Sequence, residues 1–470
     1  MFQDELLNRV AKNAPVTVMA RGMLENILSP AKLDDIFQRH VRTQRQRNLL
    51  FSFLVELMLL VACKIRPSIH AAYKAWHEEL PFTVDAVYDK IAGVEIPVSE
   101  ALLCKTAENM IQVLREIKPP EPELIPGYRL RIVDGNKIAA TDRRLKVLRE
   151  QNAAPLPGFA LVVFEPAWNL ITHTILCRDG HAQERSLFPQ LVKLAEPGDL
   201  WLEDRNFCCW NFLHGVISRG AHVLVRQHAG SIRWKTTSAL VHRGTTATGE
   251  VWEQSGIVEN VDTLEQLPLR RVELRLNEPT RDGDMMLGLL TNLPADVSAV
   301  QVADAYPKRW QIETAFQEIE ALLSGEINAL GYPEAALFSL TCAYVAFNVL
   351  QCIRQTLEAS YPELTASQPD QADKKPTADA EISLYYLADD VAHTMRGLDA
   401  VLSHGNWEIF RGMTPKELAM TLRVLAILVP IRKYTKRRRS TKPPSMPRKS
   451  TKRQLHASTA KLLDKHDKND

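Results

Sequence analysis

Asp134, Asp204 and Glu313 are the residues of this chain whose surroundings best suit them to act together. Asp134 closes a predicted strand over residues 128–133 and precedes Gly135, so its carboxylate lies at a turn where backbone can approach a ligand closely. Asp204 ends a second short apolar strand, 199–204, and is followed by Arg205, Asn206 and Phe207. Side chains alternate along a strand, so Glu203 and Asp204 face opposite ways and only one of them joins a site at the strand end. Glu313 sits in Tyr306-x-x-Arg309-Trp310-Gln311-Ile312-Glu313-x-x-Phe316-Gln317-x-x-Glu320. On a helix, positions 306, 309, 313, 317 and 320 share one stripe, and Ile312, Phe316 and Ile319 form the apolar stripe beside it. Pro307 fits only in a first turn or at a kink. A helix restarting there puts Arg309 in its first turn, where free backbone donors already favour a phosphate. Read singly, each piece has an ordinary alternative: an Asp-Gly turn, a surface acid, and an i,i+4 ion pair of a few tenths of a kcal/mol.

Read together, three carboxylates without His or Cys suit a hard divalent cation such as Mg²⁺ or Mn²⁺, which takes oxygen ligands and keeps places for water and phosphate. Two such ions, about 3.5–4 Å apart, serve in-line phosphoryl displacement by activating the attacking oxygen and stabilising the leaving one. Glu165, Asp179 and Glu184 lie near neighbouring strands and are lesser candidates for a metal or supporting role. Arg226-Gln227-His228 ends a strand close to the site and either touches DNA or is structural. Trp234 and Trp252 either stack on an unpaired base or pack in a core.

The elements that must position these residues follow from pattern. Residues 1–118 read as helices, with Leu49, Leu50, Phe53, Leu54, Leu57 and Leu60 at helical spacing, continued over 83–91 and 99–117. The proline-rich stretch 118–126 cannot hold a helix and marks a boundary. Beyond it the pattern turns to strands at 128–133, 159–164 and 170–177, a helix over 184–195, a strand at 200–204, a helix near 210–219 and a strand at 222–226, which together make a mixed α/β layer fold. Residues 229–299 are strand-rich, with strands at 272–276 and 285–290, and read as an insertion into that core. Helices return over 302–323 and 335–357, residues 360–380 read as a polar loop, and 381–430 as a helical C-terminal region.

Composition narrows the classes. With 470 residues and 45% hydrophobic content the chain builds a large core, while a net charge of only +2 excludes a uniformly basic nucleic-acid binder. The positive charge is concentrated instead in a tail over 431–470, with basic runs at 432–439 and 448–453, expected to be disordered. Seven cysteines without a CxxC pair argue against a zinc site and for a reducing, cytoplasmic location. The apolar run 49–63 is too short, and with Glu56 too polar, to span a membrane.

The order Asp134-Gly135, then Asp204-Arg205-Asn206-Phe207, then Tyr306-x-x-Arg309-Trp310-x-Ile312-Glu313 resembles the DDE transposases of insertion sequences, specifically family four. The resemblance covers about residues 125–355. It implies an RNase H-like, retroviral-integrase-like core, split by a β insertion over 229–299 into parts at 125–228 and 300–358. It further implies metal-dependent cleavage and strand transfer at the element's terminal inverted repeats, with two Mg²⁺ (or Mn²⁺) ions held by Asp134, Asp204 and Glu313. Tyr306 and Arg309 fall on the family's phosphate-contacting positions. Double-stranded DNA, both transposon ends and target, and a homodimer in the synaptic complex are the partners so implied. End recognition is expected in the N-terminal helices, where Arg42, Arg45 and Arg47 precede the apolar helix. Where the family signature has Lys seven residues after the glutamate, this chain has Glu320: either a nearby base such as Lys308 substitutes, or this subgroup differs, or the copy is impaired. Two alternatives stay open: a metal nuclease without strand transfer, and an inactive DNA-binding regulator.

Overall fold

The computed structural model describes residues 2–45, 49–75, 80–150, 152–228, 230, 232–280, 283–362, 381–398, 400–436 and 456–466. Its strands are β1 (Arg129–Lys137), β2 (Ala154–Leu156), β3 (Phe159–Glu165), β4 (Leu170–Cys177), β5 (Asp199–Glu203), β6 (His222–Arg226), β7 (Arg233–Thr236), β8 (Val241–Thr246), β9 (Gly249–Glu259), β10 (Gln266–Leu276), β11 (Met286–Thr291) and β12 (His456–Ser458). Ten of them make one mixed sheet in the order β4-β3-β1-β5-β6-β11-β10-β9-β7, with β8 beside β9. The β1–β5 and β5–β6 pairs are parallel, while β3, β4 and the strands from β11 outward pair antiparallel.

Strand alternation splits the apolar residues between two cores. Ile132, Leu202 and Leu224 face the larger core, built with the N- and C-terminal helices. Val133, Trp201 and Val225 face the smaller one, with Phe188, Phe207 and Phe212. Because helices cover both faces here, β3 (Phe-Ala-Leu-Val-Val-Phe-Glu) is buried at every position.

The larger core is organised by the helix Pro333–Ser360. Among the described residues it alone is long and apolar enough to cross a membrane, yet its most apolar stretch lies wholly inside the molecule. It packs against Phe51–Ala62, Ile96–Ile117 and Pro415–Ile427. Asn348 on its buried side bridges to the sheet: Oδ1 accepts from the Ile171 N–H at 2.9 Å and Nδ2 donates to the Ile171 carbonyl at 2.7 Å. Those backbone groups need a side-chain partner because the β3–β4 register shifts at Val163/Phe164. The C-terminal helix His404–Arg411 lies against Pro15–Ile27 so closely that a Cβ on Gly22 would fall 2.4 Å from the Phe410 ring. The helical stretches expected at 1–118 and 381–430 therefore pack on one another.

The β-rich stretch continues the sheet, since β11 pairs with β6. Several expectations are corrected. Asp134 does not end a strand, since β1 runs on to Lys137 paired with β3. The helix expected over 184–195 is broken into the 3₁₀ turn Glu184–Leu187, Phe188–Leu191 and Val192–Leu194. Within the tail expected to be disordered, β12 pairs in parallel with β2 and leads into the helix Thr459–His466, whose Lys461 meets Asp179 at 2.8 Å. Residues 437–455, Arg47 and most of the loop expected over 360–380 lie outside the described residues.

Candidate active site

Parallel pairing of β1 with β5 places two of the three acids side by side. Ile132 is in register with Leu202, and Asp134 and Asp204 each follow two residues later on their strands. Asp204 leaves the strand to cap the 3₁₀ turn Arg205–Phe207, its Oδ1 accepting from the Asn206 N–H at 2.7 Å. Glu203, one residue earlier, is fully buried with neither carboxylate oxygen partnered. The two acids thus part as alternation requires, and Asp204 is the one at the strand end.

Glu313 comes from the other side of the sequence. The helix Ala299–Ala305 opens with a Ser298–Gln301 capping box, then tightens into the 3₁₀ turn Tyr306–Arg309, which admits Pro307, and restarts as Trp310–Leu322. Arg309 caps the new helix and Glu313 lies in its first turn. The Arg309 guanidinium donates to Glu313 Oε1 at 2.7 Å and to Asp134 Oδ2 at 3.5 Å, with its own side chain only 11% exposed. Asp134 Oδ1 accepts the Gly135 N–H at 2.8 Å.

Arg309 is therefore the hub that ties the helix to β1. Its charge is strengthened by Tyr306, Glu313 and Asp134, which outweigh the burial that opposes it. Burial pushes the Asp134 carboxyl up to about 6; Gly135 and Arg309 pull it down, while Asp204 and Glu184 add to the rise. Tyr306 is pushed up to about 12 by burial, so its phenol stays protonated.

Among the described residues no three His, Cys, Asp or Glu side chains are close enough to cage a metal ion. The donor set of Asp134, Asp204 and Glu313 still fits a hard cation: it is all oxygen, and beside it the buried Glu203 carboxylate has no partner among the described residues. Asp134 and Glu313 meet at the Arg309 guanidinium instead.

The lesser candidates separate. Glu184 reaches the site, its Oε1 lying 2.4 Å from where a Cβ on Gly135 would stand. Glu165 does not: buried near Arg131 and Arg129, it sits toward the opposite end of β1. Asp179 pairs with Lys461. Arg226 is held by Asp284 at 2.6 Å, and Gln227 accepts from Arg271 at 2.7 Å. Trp234 packs against the smaller core, whereas Trp252 carries the Arg275 guanidinium 4.5 Å above its ring. The backbone N–H groups of Arg42, Thr43 and Gln44 converge on the Glu95 carboxylate, which fixes that basic loop against the helix Ile96–Ile117. Glu184 comes to Gly135 through the 3₁₀ segment Glu184–Leu187, a placement that local pattern does not give.

Residues 126–346 match the family model described as a transposase DDE domain. The chain is 26% identical over 267 residues to the transposase for insertion sequence element IS421 of Escherichia coli, covering 48% of this chain and 67% of that protein. The same values hold for InsL of insertion sequence element IS186A of Escherichia coli strain K12. A solved piggyBac transposase synaptic complex with hairpin DNA aligns over 88% of this chain and 85% of its own at 11% identity, with a TM-score of 0.38. At that score the fold rests on the sheet order described above.

Proposed function

We propose that the chain, whose residues 126–346 match a transposase DDE domain, is an insertion-sequence transposase that cleaves the ends of its element and transfers them to target DNA at Asp134, Asp204 and Glu313. The observation that carries the reading is that β1 and β5 are parallel neighbours, which brings Asp134 beside Asp204, while Arg309 at a helix start joins Asp134 to Glu313. The mixed sheet, with Asp134 within its first strand and Asp204 at the end of its central parallel one, supports an RNase H-like core.

Divalent ions, two Mg²⁺ or Mn²⁺ in this reading, supply activation of the attacking oxygen and charge stabilisation of the leaving one. Asp134, Asp204 and Glu313 are the residues that hold them. Arg309, placed at a helix start where backbone donors also point outward, clamps the scissile phosphate, and the protonated Tyr306 donates to it. Glu313 and Asp134 keep the guanidinium oriented until phosphate arrives. The same site serves hydrolysis and joining, because water and a 3′-hydroxyl are interchangeable in-line nucleophiles. Joining two ends calls for two sites, hence a homodimer around paired terminal repeats.

The test is Mn²⁺-dependent cleavage and joining of DNA bearing the element's terminal repeats, comparing the wild type with Asp134→Asn, Asp204→Asn and Glu313→Gln. Wild type cutting and joining, with all three variants binding DNA but doing neither, is the expected result. Cutting without joining reassigns the protein as a nuclease, and equal activity in any of the three variants removes that residue from the site.

A further inference from the structure

We infer that Glu184 is a fourth carboxylate of the metal site, reaching the Asp134–Asp204 pair from the face of the sheet opposite Glu313; this rests on the metal-dependent reading above.

The two faces are distinguished by alternation along β1. Ile132 belongs to the larger core, Val133 to the smaller. Asp134 therefore shares the Ile132 side, where it meets Arg309 and, through it, Glu313. Gly135 shares the Val133 side, and it is there that Glu184 Oε1 stands 2.4 Å from the position of a Gly135 Cβ. The absent side chain at 135 is thus the cradle for the Glu184 carboxylate, which a larger residue would displace. The other Glu184 oxygen has only a long contact, 3.5 Å, from Asn206 Nδ2, two residues beyond Asp204.

A second observation on the same face points to a ligand. Glu203, fully buried, shares the Trp201 side of β5, and both of its oxygens are without a partner among the described residues. It feels the charges of Asp204, Asp134 and Glu184, with Arg309 the one opposing cation among its main influences. Glu184 in turn feels Asp204, with Lys137 as the opposing charge. Buried carboxylates are retained when paired or when they hold a metal. The pairing on the Glu313 face is done by Arg309; on the Glu184 face Lys137 is the cation that bears on Glu184, while Arg185 donates to the Asn206 carbonyl at 3.1 Å. A divalent cation between Glu184 and the Asp134–Asp204 pair supplies the missing charge with oxygen ligands of the right hardness. The site then has one acid on each face of the sheet flanking two shared aspartates, which is the ligand distribution that two ions need.

The experiment is Mn²⁺ titration of the full chain by electron paramagnetic resonance, with thermal melting in chelator as the second readout, for the wild type, Asp134→Asn, Glu184→Gln and Gly135→Ala. Glu184→Gln is expected to weaken Mn²⁺ binding at least about tenfold, and to melt no lower than the wild type without metal, since it removes a repelling charge. Gly135→Ala keeps the charge but moves the carboxylate, and is expected to weaken Mn²⁺ as well; it carries the test if Glu184→Gln does not fold. Mn²⁺ binding lost in Asp134→Asn but unchanged in both Glu184→Gln and Gly135→Ala overturns the inference and leaves the metal-dependent reading intact. Glu184→Gln melting lower in chelator with unchanged Mn²⁺ affinity overturns it too, in favour of a packing role. Equal Mn²⁺ binding by the wild type and Asp134→Asn refutes the underlying reading, and the inference with it.

Discussion

Replacing Arg309 with Gln tests whether the carboxylates are assembled around a cation that a metal can stand in for. The guanidinium, 11% exposed, bonds Glu313 at 2.7 Å and Asp134 at 3.5 Å, and those partners are 29% and 24% exposed. Breaking a buried pair by removing one partner costs roughly 3–5 kcal/mol, and the partly open partners place this case at the lower end, about 3 kcal/mol. Unfolding entropy of about 2 cal/mol/K per residue sums to about 1 kcal/mol/K for this length, so the variant should melt about 3 °C lower in chelator. Saturating Mn²⁺ should recover most of that difference, because the ion neutralises the same two carboxylates. Cleavage should stay about 10²-fold or more below wild type even with metal, since the phosphate has lost its clamp. Arg309→Lys restores the charge without the two-pronged geometry and should rescue melting better than cleavage. Thermal melts in chelator and in Mn²⁺, paired with a nicking assay, decide it. An unchanged melting temperature in chelator, or a deficit that Mn²⁺ leaves untouched, refutes the picture of Arg309 as the charge that gathers the site.

The metal-free protein should lose stability as pH rises: Asp134, raised by burial to about 6, stabilises the fold only while protonated, so its contribution is complete below about pH 4 and lost through pH 6. The rise of about two pH units corresponds to about 3 kcal/mol, and melts of Asp134→Asn in chelator should show a flatter pH profile than the wild type across that window. Asn348→Ala strands the N–H and carbonyl of Ile171 at the β3–β4 irregularity and should cost about 2–4 kcal/mol by denaturant titration; a loss under 1 kcal/mol means water replaces the amide. Glu320→Lys places a cation on an exposed position of the Trp310–Leu322 helix and should steepen the log–log salt dependence of DNA binding by about 0.9 for one added phosphate contact; an unchanged slope puts position 320 off the DNA path.

What the sequence made legible, and what it hid, follows from how each residue is specified. The strand end at Asp204 and the helix restart ahead of Glu313 were readable because local periodicity fixes them: the apolar run stops at Glu203, and the helix must restart after Pro307. The strand at Asp134 was read three residues short because the polar residues Asn136 and Lys137 break the apolar run, although β3 continues to pair with them; Asn136 is tolerated since its amide donates to the buried Tyr344 hydroxyl at 2.8 Å. The β-rich character of residues 229–299 was legible from its turn residues, but the β6–β11 pairing that joins it to the sheet sets Leu224 against Thr291, a contact no local window contains. The tail shows the same limit. Its basic, proline-broken composition argues for disorder, yet Ala457 finds Pro155 as a parallel partner. Glu184 is the sharpest case, since sequence ranked it no higher than Glu165 and Asp179, which lie elsewhere in the fold. Its place is set by a glycine 49 positions earlier, whose missing side chain matters only after β1, β5 and the 3₁₀ segment have come together. A residue specified by the space another leaves open is invisible to periodicity, because the space exists only once distant segments have packed.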